Sequence, residues 1–262
     1  MNAIFFQEHK HFPGTKWMRS AWVLVLGMLL LSSCLQDDED SWSNFYISYG
    51  VVHTSQSGFV IRTDGGNTLR ILENRHQTYP LQDGKRLIVN YTILGTNPTG
   101  YDVRINELAD LLTKNPVSSS ALSPHQQDSI GNDPIEITDI WLGGEKYLNI
   151  NFSIYRNDPG LLHFVNLVVN DEVSTAERKV LQFRHNEYDD DRVRLVPGRV
   201  SFDVSSLLAQ DLDSVKLVVT WKTYNQSVRK DSGYYKRPEQ TAAFVAPESS
   251  PKGSVLTDRA LR

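Results

Sequence analysis

The feature that most restricts this chain is the strict alternation of apolar and polar residues in short runs. Leu148, Ile150, Phe152 and Ile154 fall on one parity, and Asn149, Asn151, Ser153 and Tyr155 on the other. Leu217, Val219 and Trp221 alternate with Lys216, Val218 and Thr220, and Val165, Leu167 and Val169 with Phe164, Asn166, Val168 and Asn170. Successive side chains of a strand point to opposite faces, so this spacing predicts strands with one face on a core. Turn chemistry separates the runs, at Asp64-Gly65-Gly66-Asn67, Asp83-Gly84, Gly143-Gly144, Asp158-Pro159-Gly160 and Pro197-Gly198. A 3.6-residue period is rare, and short helical turns are expected only over 106–114 and 205–211. The chain reads as all-β.

The alternation breaks between residues 115 and 130, where Asn115-Pro116-Val117-Ser118-Ser119-Ser120-Ala121-Leu122-Ser123-Pro124 has the composition of a linker. Strands are expected to start near Asn44, Gly58, Thr68, Lys85 and Tyr101 before it, and near Ile135, Lys146, His163, Lys179, Arg199, Val215 and Thr241 after it. The first group suits a small OB-like barrel, 44–114; the second suits an immunoglobulin-like β-sandwich, 131–245, with Trp141 and Trp221 in its core. The tail, 246–262, is polar and is expected to be disordered.

The N-terminus follows other rules. Ala21 to Leu31 form an apolar run, Lys10, Lys16 and Arg19 precede it, and Leu31-Ser32-Ser33-Cys34 closes it with the only cysteine of the chain. A membrane-spanning helix needs roughly 20 apolar residues, so the run suits a signal h-region instead. Residues 1–33 are expected to be a lipoprotein signal peptide, cleaved between Ser33 and Cys34, with acyl chains such as palmitate on Cys34 holding the protein to the membrane. Two start sites fit, Met1 and Met18. Residues 34–43 form an acidic linker in which Asp37, Asp38, Glu39 and Asp40 serve either as an export signal to the outer face of the outer membrane or as a solvated spacer. With the one thiol acylated, disulfides and cysteine catalysis are excluded.

Charge narrows the partners. The chain has 27 basic and 31 acidic residues, and losing Lys10, Lys16, Arg19 and Glu8 leaves it more acidic still. Nucleic acid is therefore not an expected partner, because phosphates must be met by Lys and Arg.

The search for chemistry is mostly negative, with no G-x-S-x-G, H-E-x-x-H, Walker or G-x-G-x-x-G pattern. No cofactor or metal is expected. The polar stretch Phe183-Arg184-His185-Asn186-Glu187-Tyr188-Asp189-Asp190-Asp191 offers oxygens for calcium but lacks the spacers and glycine of a calcium loop. It reads better as a solvated loop in which Arg184 pairs with an aspartate. His163 and His185 sit at strand ends with no acid partner identifiable, so a buried histidine bonded to backbone is expected rather than a catalytic base. Trp42, Tyr46 and Tyr49 could stack sugar rings, but aromatic residues of early strands more often pack in cores.

Several segments together resemble the NigD-like lipoproteins of Bacteroidota: Gly84-Lys85-Arg86-Leu87-Ile88-Val89-Asn90-Tyr91, Gly131-Asn132-Asp133-Pro134-Ile135 leading to Trp141, Tyr147-Leu148-Asn149, and Phe183-Arg184-His185-Asn186. The resemblance runs from Cys34 to about Thr223. It implies an OB-like domain followed by a β-sandwich, and a bacteriocin-associated context of undefined biochemistry. It carries no catalytic residues, and only the lipidated cysteine transfers, to Cys34.

Three function classes stay open. The favoured one is a non-enzymatic, surface-exposed outer-membrane lipoprotein acting as an interaction or accessory module, bacteriocin- or envelope-related. The alternative is capture of a glycan or peptide by the OB-like domain. The third is a hydrolase with its site split between domains, for which no nucleophile and base can be assembled. An exposed aromatic row on the barrel would point to glycan capture, and an apolar patch with a polar rim to a protein partner.

Overall fold

The computed structural model describes residues 45–56 and 58–237. The signal segment 1–33, Cys34, the acidic residues Asp37, Asp38, Glu39 and Asp40, Trp42, the strand expected at Thr241 and the tail 246–262 lie outside the described residues.

Five strands form the first body: β1 (Tyr46–Ser55), β2 (Gly58–Thr63), β3 (Thr68–Asn74), β4 (Arg86–Asn97) and β5 (Gly100–Asp110). They close in the order β1-β2-β3-β5-β4, with β4 returning to β1 and only β3 and β5 running parallel. Closure leaves no free edge, and the inward parity fills the barrel with Val52, Ile61, Leu69, Leu87, Val89 and Ile105, all at 0% exposure. The helical turn expected at 106–114 is instead the end of β5. A bulge sets Asn90 opposite Glu107 and Tyr91 opposite Ile105. It shifts the inward parity from Ile105 to Leu108, and the resulting three-residue spacing imitates a helix.

The second body is a β-sandwich. Its strands are β6 (Thr113–Lys114), β7 (Val117–Ser118), β8 (Glu136–Gly143), β9 (Tyr147–Arg156), β10 (Phe164–Val169), β11 (Arg178–Asn186), β12 (Arg194–Asp203), β13 (Ser214–Lys222) and β14 (Val228–Lys236). One sheet has the order β14-β13-β11-β10-β7 and the other β6-β12-β9-β8. Between them lie Ile150, Phe152, Leu167, Phe183, Phe202 and Leu217, as the alternation requires. The single turn expected after residue 205 is a 3-10 turn, Ser205–Leu207.

Three expectations are corrected here. The stretch expected as a linker, 115–130, holds strand β7, a 3-10 turn and helix α1 (Pro124–Ile130). Ser123 and Gln126 cap that helix reciprocally, and Pro124 starts it, so its Pro/Ser composition is helix-start chemistry. Pro197-Gly198 is no turn but part of β12, opposite Ser153 and Phe152 of β9. Proline is tolerated there because β6 pairs only with Ser201 and Phe202, leaving the other edge of β12 free at Pro197. Trp141 does not enter the sandwich core. A bulge between Ile137 and Asp139 shifts the parity of β8, so Ile140 and Leu142 face inward while Trp141, opposite Asn149, faces the outer side. Trp221, at 9% exposure, is a core residue as expected.

Candidate functional site

The outer side of the β6-β12-β9-β8 sheet meets the barrel, and Arg86 stands at the meeting point. Its side chain is 2% exposed. Nη1 and Nη2 donate to the two carboxylate oxygens of Asp64 at 2.7 and 2.6 Å, Nη2 also to Asn149 Oδ1 at 2.8 Å, and Nε to Ser201 Oγ at 3.1 Å. Ser201 Oγ donates to Asn149 Oδ1, and Asn149 Nδ2 to Asp64 Oδ2 at 3.0 Å. The guanidinium lies 4.0 Å from the centre of the Tyr147 ring. Each of the three guanidinium nitrogens therefore donates to a partner, as a buried cation requires.

The chain assembles this cluster from both bodies. Asp64 follows β2, Arg86 opens β4, and Asn149 and Ser201 are outward residues of β9 and β12. The β8–β9 turn can approach because of its glycines: a Cβ on Gly144, whose φ is +57°, would lie 2.6 Å from Asp64 Oδ1. Beside the cluster, the Tyr49 hydroxyl donates to Asn151 Oδ1 at 2.9 Å, and its ring lies 5.3 Å from that of Trp141. Burial pushes the Tyr49 hydroxyl above its ordinary pKa, outweighing Arg199 and Arg86. Tyr46 packs on Tyr91 at 5.7 Å. Tyr46 and Tyr49 are thus packing residues, not a sugar platform.

A cleft of about 240 Å³ opens next to this junction, lined among others by His53, Arg62, Asp64, Glu145, Lys146 and Tyr147. Its charges are already matched, Arg62 with Glu145 at 2.5 Å and Lys146 with Asp203 at 2.6 Å.

A second buried polar chain lies inside the sandwich. His185 Nδ1 is 3.1 Å from the Pro134 carbonyl, His185 Nε2 is 3.0 Å from His163 Nδ1, and His163 Nε2 is 3.0 Å from Asp190 Oδ2. Both imidazoles are buried, at 0% and 1%. Asp190 also accepts the backbone N–H groups of Asn157 and Asp158. Burial pushes the Asp190 carboxyl up, but those two N–H groups and His163 together bring it down to about 2. Burial lowers His185 to about 4. The carbonyl only accepts, so His185 Nδ1 carries hydrogen and its Nε2 accepts from His163. The chain of bonds ends on a backbone carbonyl, with no nitrogen turned to a substrate, so it does not fit a catalytic relay.

This chain contains the acid partner that spacing did not reveal. Asp190 looks like its neighbours Asp189 and Asp191 in sequence, yet it alone of the three turns inward. Arg184 binds Gln182 and Gln127, not an aspartate, while Arg192 pairs with Glu187. Among the described residues, no group of three or more His, Cys, Asp or Glu is placed to hold a metal.

Residues 49–111 match the NigD-like N-terminal OB domain, and residues 118–234 match the NigD-like C-terminal beta sandwich domain. The chain belongs to the NigD-like family. A structure from Parabacteroides distasonis with the provisional name toxin related protein is 27% identical, with a TM-score of 0.63 over 74% of this chain and 94% of that one. A NigD-like immunity protein from Bacteroides caccae is 19% identical, with a TM-score of 0.59 over 74% and 97%. A Bacteroides fragilis chain provisionally named a lipoprotein is 8% identical, with a TM-score of 0.54 over 76% and 100%. No curated protein matches.

The NigD-like segments of this chain do structural work. Asp133 N–H donates to the His185 carbonyl at 2.8 Å, Glu187 N–H to Asp133 Oδ2 at 2.9 Å, and Asn186 Nδ2 to the Ser129 carbonyl at 2.9 Å. Gly-Asn-Asp-Pro-Ile and Arg-His-Asn are thus two halves of one staple. Arg86 and Asn149, from two further segments, meet at the junction.

Proposed function

We propose that this NigD-like protein is a non-enzymatic lipoprotein of the outer membrane, anchored through Cys34, displayed on the cell surface under the direction of Asp37, Asp38, Glu39 and Asp40, and acting by binding another protein. The observation that carries this reading is an apolar strip at the far end of the sandwich. Val193 and Leu195 are 68% and 53% exposed. Leu195 stands opposite Tyr155, whose ring meets Tyr224 edge-on at 4.9 Å, and Arg192 lies 5.4 Å from the Tyr224 ring centre. An exposed aliphatic pair beside two tyrosines and an arginine is the composition of a protein-contact centre. The buried polar groups elsewhere, at Arg86 and at His163, are committed to internal partners. The immunity and toxin-related names of the similar structures agree with a binding role in bacteriocin or envelope biology.

Capture from intact cells tests this reading. The lipidated protein should retain a partner that Val193→Glu with Leu195→Glu does not. Equal capture by both, or none by either, would count against it. In the same cells, Cys34→Ala should lose labelled palmitate and leave the membrane fraction. Alanine at Asp37, Asp38, Glu39 and Asp40 should keep the label but hide the protein from external protease.

A second reading rests on the cleft beside Tyr147. It is lined by His53 and Arg62 of the barrel together with Glu145 and Lys146 of the sandwich, and binding of a short peptide or glycan that is lost on Lys146→Ala would favour it.

A further inference from the structure

Two loops at the far end of the sandwich are tied together by one buried carboxylate. Residues 157–163 join β9 to β10, and residues 187–193 join β11 to β12. Asp190, 8% exposed, reaches from the second loop into the first, where it accepts the Asn157 N–H at 3.0 Å and the Asp158 N–H at 3.1 Å. The first loop has its own support, because Arg156 donates to the carbonyls of Asp158, Pro159 and Leu161. The second is strained. Tyr188 and Asp189 stand in succession at φ of +50° and +59°. A left-handed backbone is unfavourable for residues with a Cβ, most of all a bulky one, and persists only where surrounding contacts impose it.

The hold of Asp190 depends on a proton. From the Pro134 carbonyl through His185 and His163 to Asp190 there are three close gaps, at 3.1, 3.0 and 3.0 Å. Each gap needs a hydrogen, and two neutral imidazoles bring only two. The third lies between His163 and Asp190, where an imidazole lone pair would otherwise face the carboxylate. A further proton breaks the chain, because on His185 Nε2 it would oppose the hydrogen of His163 Nδ1. Burial chiefly resists that proton, His163 and Arg192 add to the resistance, and the Pro134 carbonyl and Asp133 favour it, so it enters only near pH 4. The other charges around the chain are committed: Glu187 to Arg192 at 2.7 Å, Asp158 to the Gly160 N–H, and Arg156 to the loop carbonyls. The Tyr224 ring lies against Arg192.

We propose that residues 187–193 form a strained arm held shut by the proton shared between His163 and Asp190, and that acid releases it. The consequence for binding rests on the reading of Val193 and Leu195 as a contact strip. Shut, the arm sets Arg192 5.4 Å from the Tyr224 ring centre and Val193 at the head of the strip. Released, it takes both away, so a partner held at neutral pH is let go in acid.

Amide hydrogen exchange on the full chain reads the hold directly. The Asn157 and Asp158 amides should be protected at neutral pH and lose protection together near pH 4, while Ile150 and Leu181 in the central strands stay protected. Loss only in step with those core amides, or no loss, would overturn the proposal. At neutral pH, Asp190→Ala should open the arm without acid, so that trypsin cuts after Arg192 several-fold faster than in the parent while melting stays cooperative. An unchanged cutting rate would overturn it. Should Asp190→Ala not fold, Asp189→Gly carries the test: glycine accepts the left-handed backbone, so the melting midpoint should rise by a few degrees, and a lower or equal midpoint would remove the strain on which the arm depends. The two readings fail separately. An arm that opens while Val193→Glu with Leu195→Glu leaves capture unchanged overturns the contact strip alone; capture lost in that variant beside an arm that never opens overturns the arm alone.

Discussion

Arg86 of the barrel donates to Asn149 of the sandwich at 2.8 Å while its other donors hold Asp64 and Ser201. One buried cation thereby joins two bodies that are each built on a separate apolar core. Removing the cation leaves Asp64, 13% exposed, without its counter-charge and with Asn149 Nδ2 still donating to it. Arg86→Met should cost about 3–5 kcal/mol, the range for breaking a buried pair from one side. Arg86→Lys should recover little of it, because an ammonium cannot reproduce the two-pronged contact. Urea unfolding of the three proteins checks both statements.

The histidine chain predicts a pH dependence. Burial holds His185 at about 4 in the fold, below the usual histidine value of 6.5. As pH falls, the unfolded chain takes up this proton first, so stability declines as pH drops from about 6.5 through about 4. Asp190, held at about 2, adds a further loss below the ordinary carboxylate range. Melting curves from pH 7 to pH 4 should slope downward for the parent and flatten for His185→Gln, even though that variant starts less stable.

The two tryptophans should separate by variant. Trp221→Ala removes a ring from the sandwich core and should cost about 3–5 kcal/mol. Trp141→Ala removes the ring that meets Tyr49, and should cost less. Its effect should be non-additive with Tyr49→Ala by about 0.5–1.5 kcal/mol. A double-mutant cycle on Trp141 and Tyr49 reads that coupling.

A sandwich prepared alone should begin ahead of β6. Thr113 and Lys114 pair with Ser201 and Phe202, and Val117 and Ser118 with Val168 and Val169. A chain starting at Leu112 should unfold cooperatively. One starting at Ser129 lacks both short strands and most of α1, and should melt earlier and bind apolar dye.

The sequence by itself determined the all-β class, the two-body division and the approximate starts of most of the longer strands, though not β14 or the two short strands β6 and β7, because alternation is a local property read off neighbouring side chains. It also placed Trp221 correctly, since no bulge interrupts the parity of β13. It misplaced residues 106–114 and Trp141 for one shared reason: a bulge inserts a residue, inverts the parity beyond it and leaves no mark in the residue types. The tertiary structure alone decided that Arg86 meets Asn149, that Asp190 and not Asp189 or Asp191 closes on His163, and that 115–130 is built into the sandwich. Those outcomes depend on groups far apart in the chain, whose burial makes each unpaired polar atom costly and so selects a single partner.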